Sequence, residues 1–153
     1  MAARESQGKL LAPVVTKRTI VRMRIVVDTN VPLVVAMNGP EREWLLKVAL
    51  EADLIAPPVL PYEVANALSA WVKRKKLSPG RAEYLWDVIC GIPVELVEVD
   101  VKTALMVAVE RGIYVYDAFF LQCARESVCP LLTLDSGMRH VARVMGIRIL
   151  ERP

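Results

Sequence analysis

Short apolar runs and longer amphipathic stretches alternate along the chain from residue 24 onwards. The apolar runs have the length and composition of buried β-strands and lie at 25–27, 54–56, 94–97, 131–133 and 147–149. The longer stretches have helical periodicity and lie at 31–37, 41–52, 59–76, 79–90, 101–111, 117–127 and 137–145. Strands that alternate with helices indicate βαβ units, which build a mostly parallel sheet with helices on both faces. The pattern therefore predicts a single three-layer α/β/α domain.

Residues with strong positional preferences support several of these helix boundaries. Pro61 lies in the first turn of one predicted helix, where proline is tolerated, and Asp100 precedes another as an N-cap. Gly112 and Gly146 follow predicted helices, at the position where glycine is favoured as a C-cap. We therefore expect helices to begin or end at these four positions.

The first 22 residues differ from the rest of the chain. They show no clear periodicity. They contain five basic side chains and one acidic side chain, which gives this segment a net charge of +4. The remaining residues hold 15 basic and 16 acidic side chains and carry −1, although the whole chain carries +3. We interpret 1–22 as a flexible basic N-terminal extension, which a natural start at Met23 would omit, and 23–153 as the folded domain. A functional basic arm is the alternative interpretation.

Composition excludes several classes of protein. The chain has 153 residues, 54% of them hydrophobic, which suits one domain with a real core and argues against disorder. Its longest uncharged stretch, 29–40, has twelve residues, whereas a membrane-spanning helix needs about 20. The three cysteines lack C-x-x-C spacing, so that neither a disulfide framework nor a zinc knuckle is expected. These features favour a cytoplasmic protein that does not associate with a membrane.

Sequence motifs for nucleotide binding and for common hydrolases are missing. The chain contains no G-x-G-x-x-G pattern, no P-loop and no G-x-S-x-G nucleophile elbow. His140 is the only histidine, which excludes mechanisms that need two imidazoles and gives Ser–His–Asp or Cys–His catalysis little support. If the protein is an enzyme, its acid–base and charge chemistry must therefore come from carboxylates, a metal ion or both.

Four acidic residues are expected near the carboxyl ends of the strands, where open α/β sheets bind ligands. Asp28 directly follows the first strand, and Asp135 follows the strand at 131–133 after one residue. Glu63 and Asp117 lie at the beginning of helices that we expect to start at the same edge. Any one of these acids could simply cap a helix or complement its dipole. Asp28 is the exception, because a bare carboxylate at the end of a buried strand is costly.

A divalent cation would explain such a group of carboxylates. Carboxylates held close together repel one another and raise each other's pKa, and a cation removes that penalty. Oxygen ligands without histidine or cysteine favour Mg²⁺ or Mn²⁺ over zinc. Mg²⁺ keeps several water molecules and typically serves phosphate substrates, so that a phosphodiester becomes a natural candidate substrate.

The acidic segments resemble those of a known family. Val-Asp-Thr-Asn at 27–30, Glu63, Tyr-Asp-Ala at 116–118 and Thr-Leu-Asp at 133–135 are similar, in order and spacing, to the four acidic motifs of PIN-domain ribonucleases. The chain looks most like the VapC-type toxins of bacterial and archaeal toxin–antitoxin pairs, over residues 24–150, although such toxins usually lack a 22-residue leader. By position, the resemblance implies an acidic pocket with polar neighbours. The acids are Asp28, Glu63, Asp117 and Asp135, and the neighbours are Asn30, Thr133 and Ser136.

The resemblance implies a PIN-like fold and a Mg²⁺- or Mn²⁺-dependent endoribonuclease that forms homodimers and is held inactive by an antitoxin. In this hypothesis Asp28 and Asp117 ligate a first cation, directly or through water. Asp135 completes the ligand shell or contributes to a second site, and Glu63 orients or deprotonates the attacking water. The choice of RNA over DNA comes from the resemblance alone.

Basic residues near these acids are candidate phosphate contacts. Lys73 and Arg74 lie in the basic run that ends the predicted Glu63 helix, and Arg74 follows Glu63 by about 16 Å at 1.5 Å per residue. Cations that complement the helix C-terminus are the structural alternative for this pair. Arg139 and Arg143 follow Asp135 along the chain. We expect weak RNA contacts from these four residues.

Two other hypotheses stay open. A non-catalytic PIN-like module would bind RNA or protein; the presence of all four acids disfavours it, and a lack of metal binding would favour it. A small phosphatase or receiver-like phosphoacceptor would use Asp28 as its nucleophile. That class usually needs a second acid beside the nucleophile and a lysine near the last strand, whereas Thr29 and Asn30 follow Asp28 and 131–148 contains no lysine.

Overall fold

The computed structural model describes residues 21–152. Within these residues, four strands form one parallel sheet and seven helices surround it, which confirms the predicted fold class. The strands are β1 (Met23–Val27), β2 (Ala52–Ala56), β3 (Val94–Leu96) and β4 (Leu131–Leu132). The helices are α1 (Asn30–Ala36), α2 (Arg42–Glu51), α3 (Leu60–Lys73), α4 (Pro79–Cys90), α5 (Val101–Arg111), α6 (Val115–Glu126) and α7 (Ser136–Val144).

The order of the strands in the sheet is β3-β2-β1-β4. The chain proceeds outward from β1 through β2 to β3, and then crosses back to form β4 on the other side of β1. The direction of winding therefore reverses between β1 and β4, whose partners in register are Val26↔Leu131 and Val27↔Leu132. In open α/β sheets such a reversal leaves a crevice at the carboxyl ends of the two strands, and ligands bind there.

Strand β1 lies at the centre of the core. Ile25, Val26 and Val27 are consecutive and fully buried, although neighbouring side chains of a strand point to opposite faces. Helices must therefore cover both faces of the sheet. Val27 faces α1 and α2, with which it lines an apolar cavity, and α6 packs against β1 and β4 with Phe120 fully buried.

The predicted helix boundaries are confirmed where a specific residue sets them. The carboxylate of Asp100 accepts a hydrogen bond from the backbone N–H of Thr103 at 2.6 Å, which caps α5. Gly112 ends α5 with φ at 64°, and Gly146 follows α7 with φ at 71°, a left-handed conformation that favours glycine. Pro61 lies in the first turn of α3.

Several predicted bounds are corrected: β2 begins at Ala52 and not at residue 54, and β3 and β4 each end one residue earlier than predicted. Three further corrections have an identifiable cause. The segment 147–149 is not a strand, because only Ile149 forms a bridge, with Leu131 of the two-residue strand β4. Helix α3 ends at Lys73 and not at residue 76, since Lys75 adopts φ of 57° and leaves the helical region. Helix α6 begins at Val115, two residues before the predicted start, because Tyr114 is the extended residue that precedes it.

The predicted extension, 1–22, lies outside the described residues apart from Val21 and Arg22. The guanidinium of Arg22 donates to the carbonyl oxygen of Ala52 at 2.9 Å and forms an ion pair with Asp53 at 3.5 Å. Arg22 thus lies against the beginning of β2. Across residues 21–152, none of the helices combines the length and the apolar character needed to cross a bilayer.

Candidate active site

Asp28 lies at the carboxyl end of β1, in the crevice next to β4. Its side chain is 5% exposed, and its oxygens accept hydrogen bonds from the Thr29 backbone N–H at 2.6 Å, Asn30 Nδ2 at 2.6 Å and Thr133 Oγ1 at 2.7 Å. The pairing of β1 with β4 brings Thr133 to this position. A carboxylate can accept about four hydrogen bonds, so that the three observed bonds leave room for a further donor or a cation.

Thr29 connects Asp28 to Glu63. Its backbone N–H donates to Asp28, and its hydroxyl donates to Oε2 of Glu63 at 2.8 Å. Glu63 lies in the first turn of α3, and α3 follows β2, the neighbour of β1. Thr29 is not among the site residues that the sequence predicts. The signal in the sequence is that Thr29 carries a hydroxyl and lies between two candidate site residues, Asp28 and Asn30, at the end of a buried strand.

The turn that carries Asp135 is also attached to the end of β1. Thr133 Oγ1 accepts a hydrogen bond from the backbone N–H of Asp135 at 3.0 Å, and Asn30 Oδ1 accepts one from the backbone N–H of Leu134 at 3.1 Å. Asp135 caps α7, because its Oδ1 accepts a bond from the Met138 backbone N–H at 2.6 Å. Asn30 and Thr133 therefore each contact both Asp28 and this turn.

Electrostatic effects connect the four acids to one another. Burial raises the pKa of Asp28 to about 6, although hydrogen bonds from Thr133 and Thr29 oppose the shift; the charges of Glu63 and Asp117 raise it further. Burial also raises the pKa of Glu63 above its usual range, where the Thr29 hydroxyl opposes the shift and the charge of Asp117 adds to it. For Asp117, in the first turn of α6, burial and then the charge of Asp135 raise the pKa.

The carboxylate oxygens of the four acids are the type of ligand that a hard divalent cation prefers, but they do not form a closed metal site. Among residues 21–152, no three His, Cys, Asp or Glu side chains lie close enough together to hold a metal ion as a group. Mg²⁺ in proteins usually keeps several waters and contacts one or two carboxylates together with substrate phosphate. The oxygen donors, and the pKa values of Asp28, Glu63 and Asp117 that burial and neighbouring acids raise, therefore fit a hydrated Mg²⁺ or Mn²⁺ ion.

The predicted phosphate contacts occupy three different surroundings. Lys73 and Arg74 are exposed at the far end of α3. Arg143 forms an ion pair with Glu151, which offsets its charge. Arg139 Nη2 donates to the carbonyl oxygen of Leu134 at 3.2 Å, so that this residue supports the turn before Asp135. Its role at this turn depends on the tertiary structure and has no signal in the sequence.

Ser136 is the remaining predicted polar neighbour of the acids. It is the first residue of α7, directly after the cap residue Asp135, and it is exposed. Its position beside Asp135 comes from the chain sequence, so that its contribution to the site stays a prediction.

Comparisons with known proteins agree with this architecture. The PIN domain family matches residues 25–144. Ribonuclease VapC3 from Pyrobaculum aerophilum is 31% identical over 120 residues, which cover 74% of this chain and 90% of that protein.

Two solved structures share the fold. PAE2754 from Pyrobaculum aerophilum has a TM-score of 0.63 and 21% identity, covering 78% of this chain and 84% of the other. VapBC2 from Rickettsia felis, solved bound to a DNA fragment from their promoter, has a TM-score of 0.58 and 14% identity, covering 84% of this chain and 98% of the other. The family match over residues 25–144 and the 31% identity to VapC3 establish that the chain belongs to the PIN domain family, among its VapC-like members.

Proposed function

We propose that the protein is a metal-dependent endoribonuclease that hydrolyses RNA phosphodiester bonds with Asp28, Glu63, Asp117 and Asp135. The observation that carries the proposal is the buried Asp28 carboxylate at the β1–β4 crevice, which Thr29 connects to Glu63 and Thr133 connects to the Asp135 turn. The ribonuclease relative VapC3 supports RNA as the substrate.

The acids divide into ligands and a base. Asp28 and Asp117 would hold the first cation, directly or through water, and Asp135 would complete the ligand shell or contribute to a second site. A Mg²⁺ or Mn²⁺ ion held there would supply the positive charge that phosphodiester hydrolysis needs. Hydrogen bonds from Asn30 and Thr133 fix the orientation of the Asp28 carboxylate, as outer groups around metal ligands commonly do.

Glu63 acts on the attacking water. Its Oε2 is held by the Thr29 hydroxyl, which leaves Oε1 to accept a hydrogen bond or a proton from the water. A general base is most efficient when its pKa lies near the working pH, and burial shifts the pKa of Glu63 in that direction. Glu63 therefore orients the water and accepts its proton as the bond from the water oxygen to phosphorus forms. The P–O bond to the leaving ribose oxygen breaks in the same displacement, and that oxygen takes up a proton from solvent.

The protein is further proposed to be the toxin of a toxin–antitoxin pair, with an antitoxin as its protein partner. The match to VapC3 and the similarity to the VapBC2 structure support this part of the proposal. A homodimer is expected from the family resemblance, and a location in the cytoplasm is expected from the three cysteines without C-x-x-C spacing.

The test is a map of new RNA ends made by the full-length protein. Total RNA is incubated with Mg²⁺ or Mn²⁺, and 5′ and 3′ ends are sequenced for the wild type, for Asp28→Asn and for Asp87→Asn. Asp87 is an exposed acid on α4 outside the site, which makes its variant the matched control. An EDTA reaction controls for the metal.

Ends that appear with the wild type and Asp87→Asn, and disappear with Asp28→Asn and with EDTA, are the expected result. Identical ends from Asp28→Asn would mean that the activity is a contaminant or that the site is wrong. If no ends appear and titration calorimetry detects no Mn²⁺ binding, the protein is instead a non-catalytic PIN module. The absence of three converging ligands among residues 21–152 is the observation that favours that second candidate.

A further inference from the structure

A pocket lies beside the turn that carries Asp135, between α2, α7 and the last described residues of the chain. We call it the Arg139 pocket. Its volume is about 200 Å³, many times the roughly 10–15 Å³ that a site for one water molecule needs, so that a small polyatomic ligand fits. Its lining includes Glu41, Thr133, Leu134, Arg139, Glu151 and Arg152.

The Arg139 pocket and the candidate active site share a wall. Thr133 lines the pocket, and its Oγ1 donates to Asp28 Oδ2 at 2.7 Å and accepts from the Asp135 backbone N–H at 3.0 Å. Leu134 also lines the pocket, and its carbonyl oxygen accepts a hydrogen bond from Arg139 Nη2 at 3.2 Å. A ligand in the pocket would therefore contact the residues that hold Asp28 and the Asp135 turn in place.

The guanidinium of Arg139 lacks an anionic partner. It is half-buried, and none of the ion pairs among residues 21–152 includes it. Its bond to Leu134 uses one of five N–H donors, and Nε is buried without an acceptor. A partly buried charge that no carboxylate compensates lowers stability, and a bound anion would remove that penalty.

The other charged groups of the pocket leave it with a net positive charge. Arg152 is a second cation, and it too forms no ion pair within the described part of the chain. Glu151 is paired with Arg143, so that Glu41 is the lining carboxylate without an ion pair in that part. Glu41 is also the N-cap of α2 and makes no side-chain capping bond, and the start of a helix favours an anion. The Arg139 pocket therefore attracts anions, whereas the four candidate carboxylates attract a cation.

We propose that the Arg139 pocket is a phosphate-binding subsite, in which Arg139 donates to a phosphate group while its Nη2 keeps the bond to Leu134. A phosphate suits the pocket better than a carboxylate, because its oxygens can accept hydrogen bonds from both Arg139 and Arg152. The phosphate belongs either to an RNA, next to the scissile phosphate, or to free inorganic phosphate. In the first case the inference rests on the proposed RNA cleavage, and the bound phosphate then joins the substrate to the Asp135 turn.

The test measures binding by the full-length protein in EDTA, so that no metal-dependent cleavage occurs. One arm titrates inorganic phosphate, with acetate as the comparison, and follows the heat of binding by calorimetry. The other arm measures the affinity for a short single-stranded RNA between about 50 and 200 mM salt.

Three variants each remove one positive charge: Arg139→Gln, Arg152→Gln and Arg81→Gln. Arg81 is the matched control, because it is exposed on α4 and its guanidinium lies 4.7 Å from the Tyr84 ring, outside the pocket. Thermal unfolding of each variant checks that it folds.

Arg139→Gln is expected to weaken phosphate binding by about 10- to 100-fold, as loss of a hydrogen bond to a charged group does. Arg152→Gln should weaken it by about two- to fivefold, since Arg152 is exposed, and Arg81→Gln should stay within about twofold of the wild type. If the phosphate belongs to RNA, Arg139→Gln also reduces the slope of log K against log salt concentration by about 0.7, and inorganic phosphate competes with the RNA. Loss of phosphate binding with an unchanged slope would assign the pocket to free phosphate.

Arg139→Gln and Arg81→Gln that behave alike in both arms would overturn the proposal. So would acetate binding as tight as phosphate binding, because the pocket would then be a carboxylate site. If Arg139→Gln does not fold, Arg152→Gln takes its place in the comparison with Arg81→Gln. Neither arm needs catalysis, so that Arg139-dependent binding without metal-dependent cleavage would retain the subsite and reject the nuclease.

Discussion

At the scale of single residues, Asp28 combines burial with a nearly complete set of hydrogen bonds. Three donors contact its oxygens, and yet its pKa is about 6, because loss of hydration outweighs those bonds and neighbouring acids add to the shift. A buried carboxylate in this condition gains most from a proton or a cation. In the metal-free protein, the proton takes that role at low pH.

The pH dependence of stability follows from this shift. The pKa of Asp28 rises from 3.8 to about 6 on folding, so the folded state keeps a proton that the unfolded state has released between these values. The free energy of unfolding therefore falls as pH rises from about 4 to about 6, by about 3 kcal/mol in total. Asp28→Asn does not titrate at this position and lacks this contribution.

Urea unfolding in EDTA across that pH range measures the effect. The stability of the wild type relative to Asp28→Asn should decline through the window and level off above it. Parallel pH profiles of the two proteins would contradict the assigned environment of Asp28.

Thr29→Val removes the hydroxyl that holds Glu63 while keeping the shape of the side chain. Because Thr29 Oγ1 donates to Glu63 Oε2, the variant should lower the single-turnover RNA cleavage rate about tenfold or more, since the proposed base loses the donor that fixes its orientation. Thr29→Ser retains the hydroxyl and serves as the control. Equal rates for the two variants would show that the bond to Glu63 does not matter for catalysis.

The sequence was sufficient to propose the carboxylates and insufficient to describe their contacts. The sequence predicts Asp28 because it follows a strand, and Glu63 because it lies at the beginning of a helix, at the expected edge of the sheet. The bridging role of Thr29 and the support from Arg139 depend on which elements become neighbours. Local pattern carries no information about those pairings.

At the scale of elements, helix boundaries are encoded by residues with strong conformational preferences. Gly112 ends α5 in the left-handed region, with φ at 64°, and a Cβ there would meet nothing within 4 Å. Gly80 lies in α4, in equally open space but without positive φ. The two glycines therefore separate the effect of backbone conformation from the effect of steric contact.

Gly112→Ala should lower the free energy of unfolding by about 1 kcal/mol, because an L-residue is strained in the left-handed region. Gly80→Ala should be neutral or stabilise by up to about 1 kcal/mol, since alanine favours the helix and restricts the unfolded chain. Thermal or urea unfolding of both variants measures the contrast. A destabilisation by Gly80→Ala as large as that by Gly112→Ala would contradict it.

Elements without such residues were predicted less well. The apolar segment 147–149 has the composition of a strand, but its neighbour β4 is only two residues long, and a single bridge forms between Ile149 and Leu131. The composition of a segment indicates that it can form a β-strand. It does not indicate how many residues of a neighbouring strand are present to pair with it. The three-residue strand β3 is similarly shorter than the predicted 94–97.

At the scale of the whole molecule, the strand order creates the candidate site. The return of the chain from β3 to the far side of β1 places the ends of β1 and β4 side by side, with Asp28 at one and the Asp135 turn at the other. Asp28 and Asp135 share this edge only if β1 and β4 are neighbours, and the two strands do pair in parallel. The order itself is a tertiary property, set by which faces of the helices and strands pack together.

The central claim is that the four carboxylates act together in RNA hydrolysis. The most direct measurement is the single-turnover cleavage rate, at saturating Mn²⁺, of Asp28→Asn, Glu63→Gln, Asp117→Asn and Asp135→Asn beside the Asp87→Asn control. Each site variant should lose about 100-fold or more, and the control should stay within about twofold of the wild type. A site variant that cleaves as fast as Asp87→Asn would contradict the role given to that carboxylate, and a fully active Asp28→Asn would contradict the site as a whole.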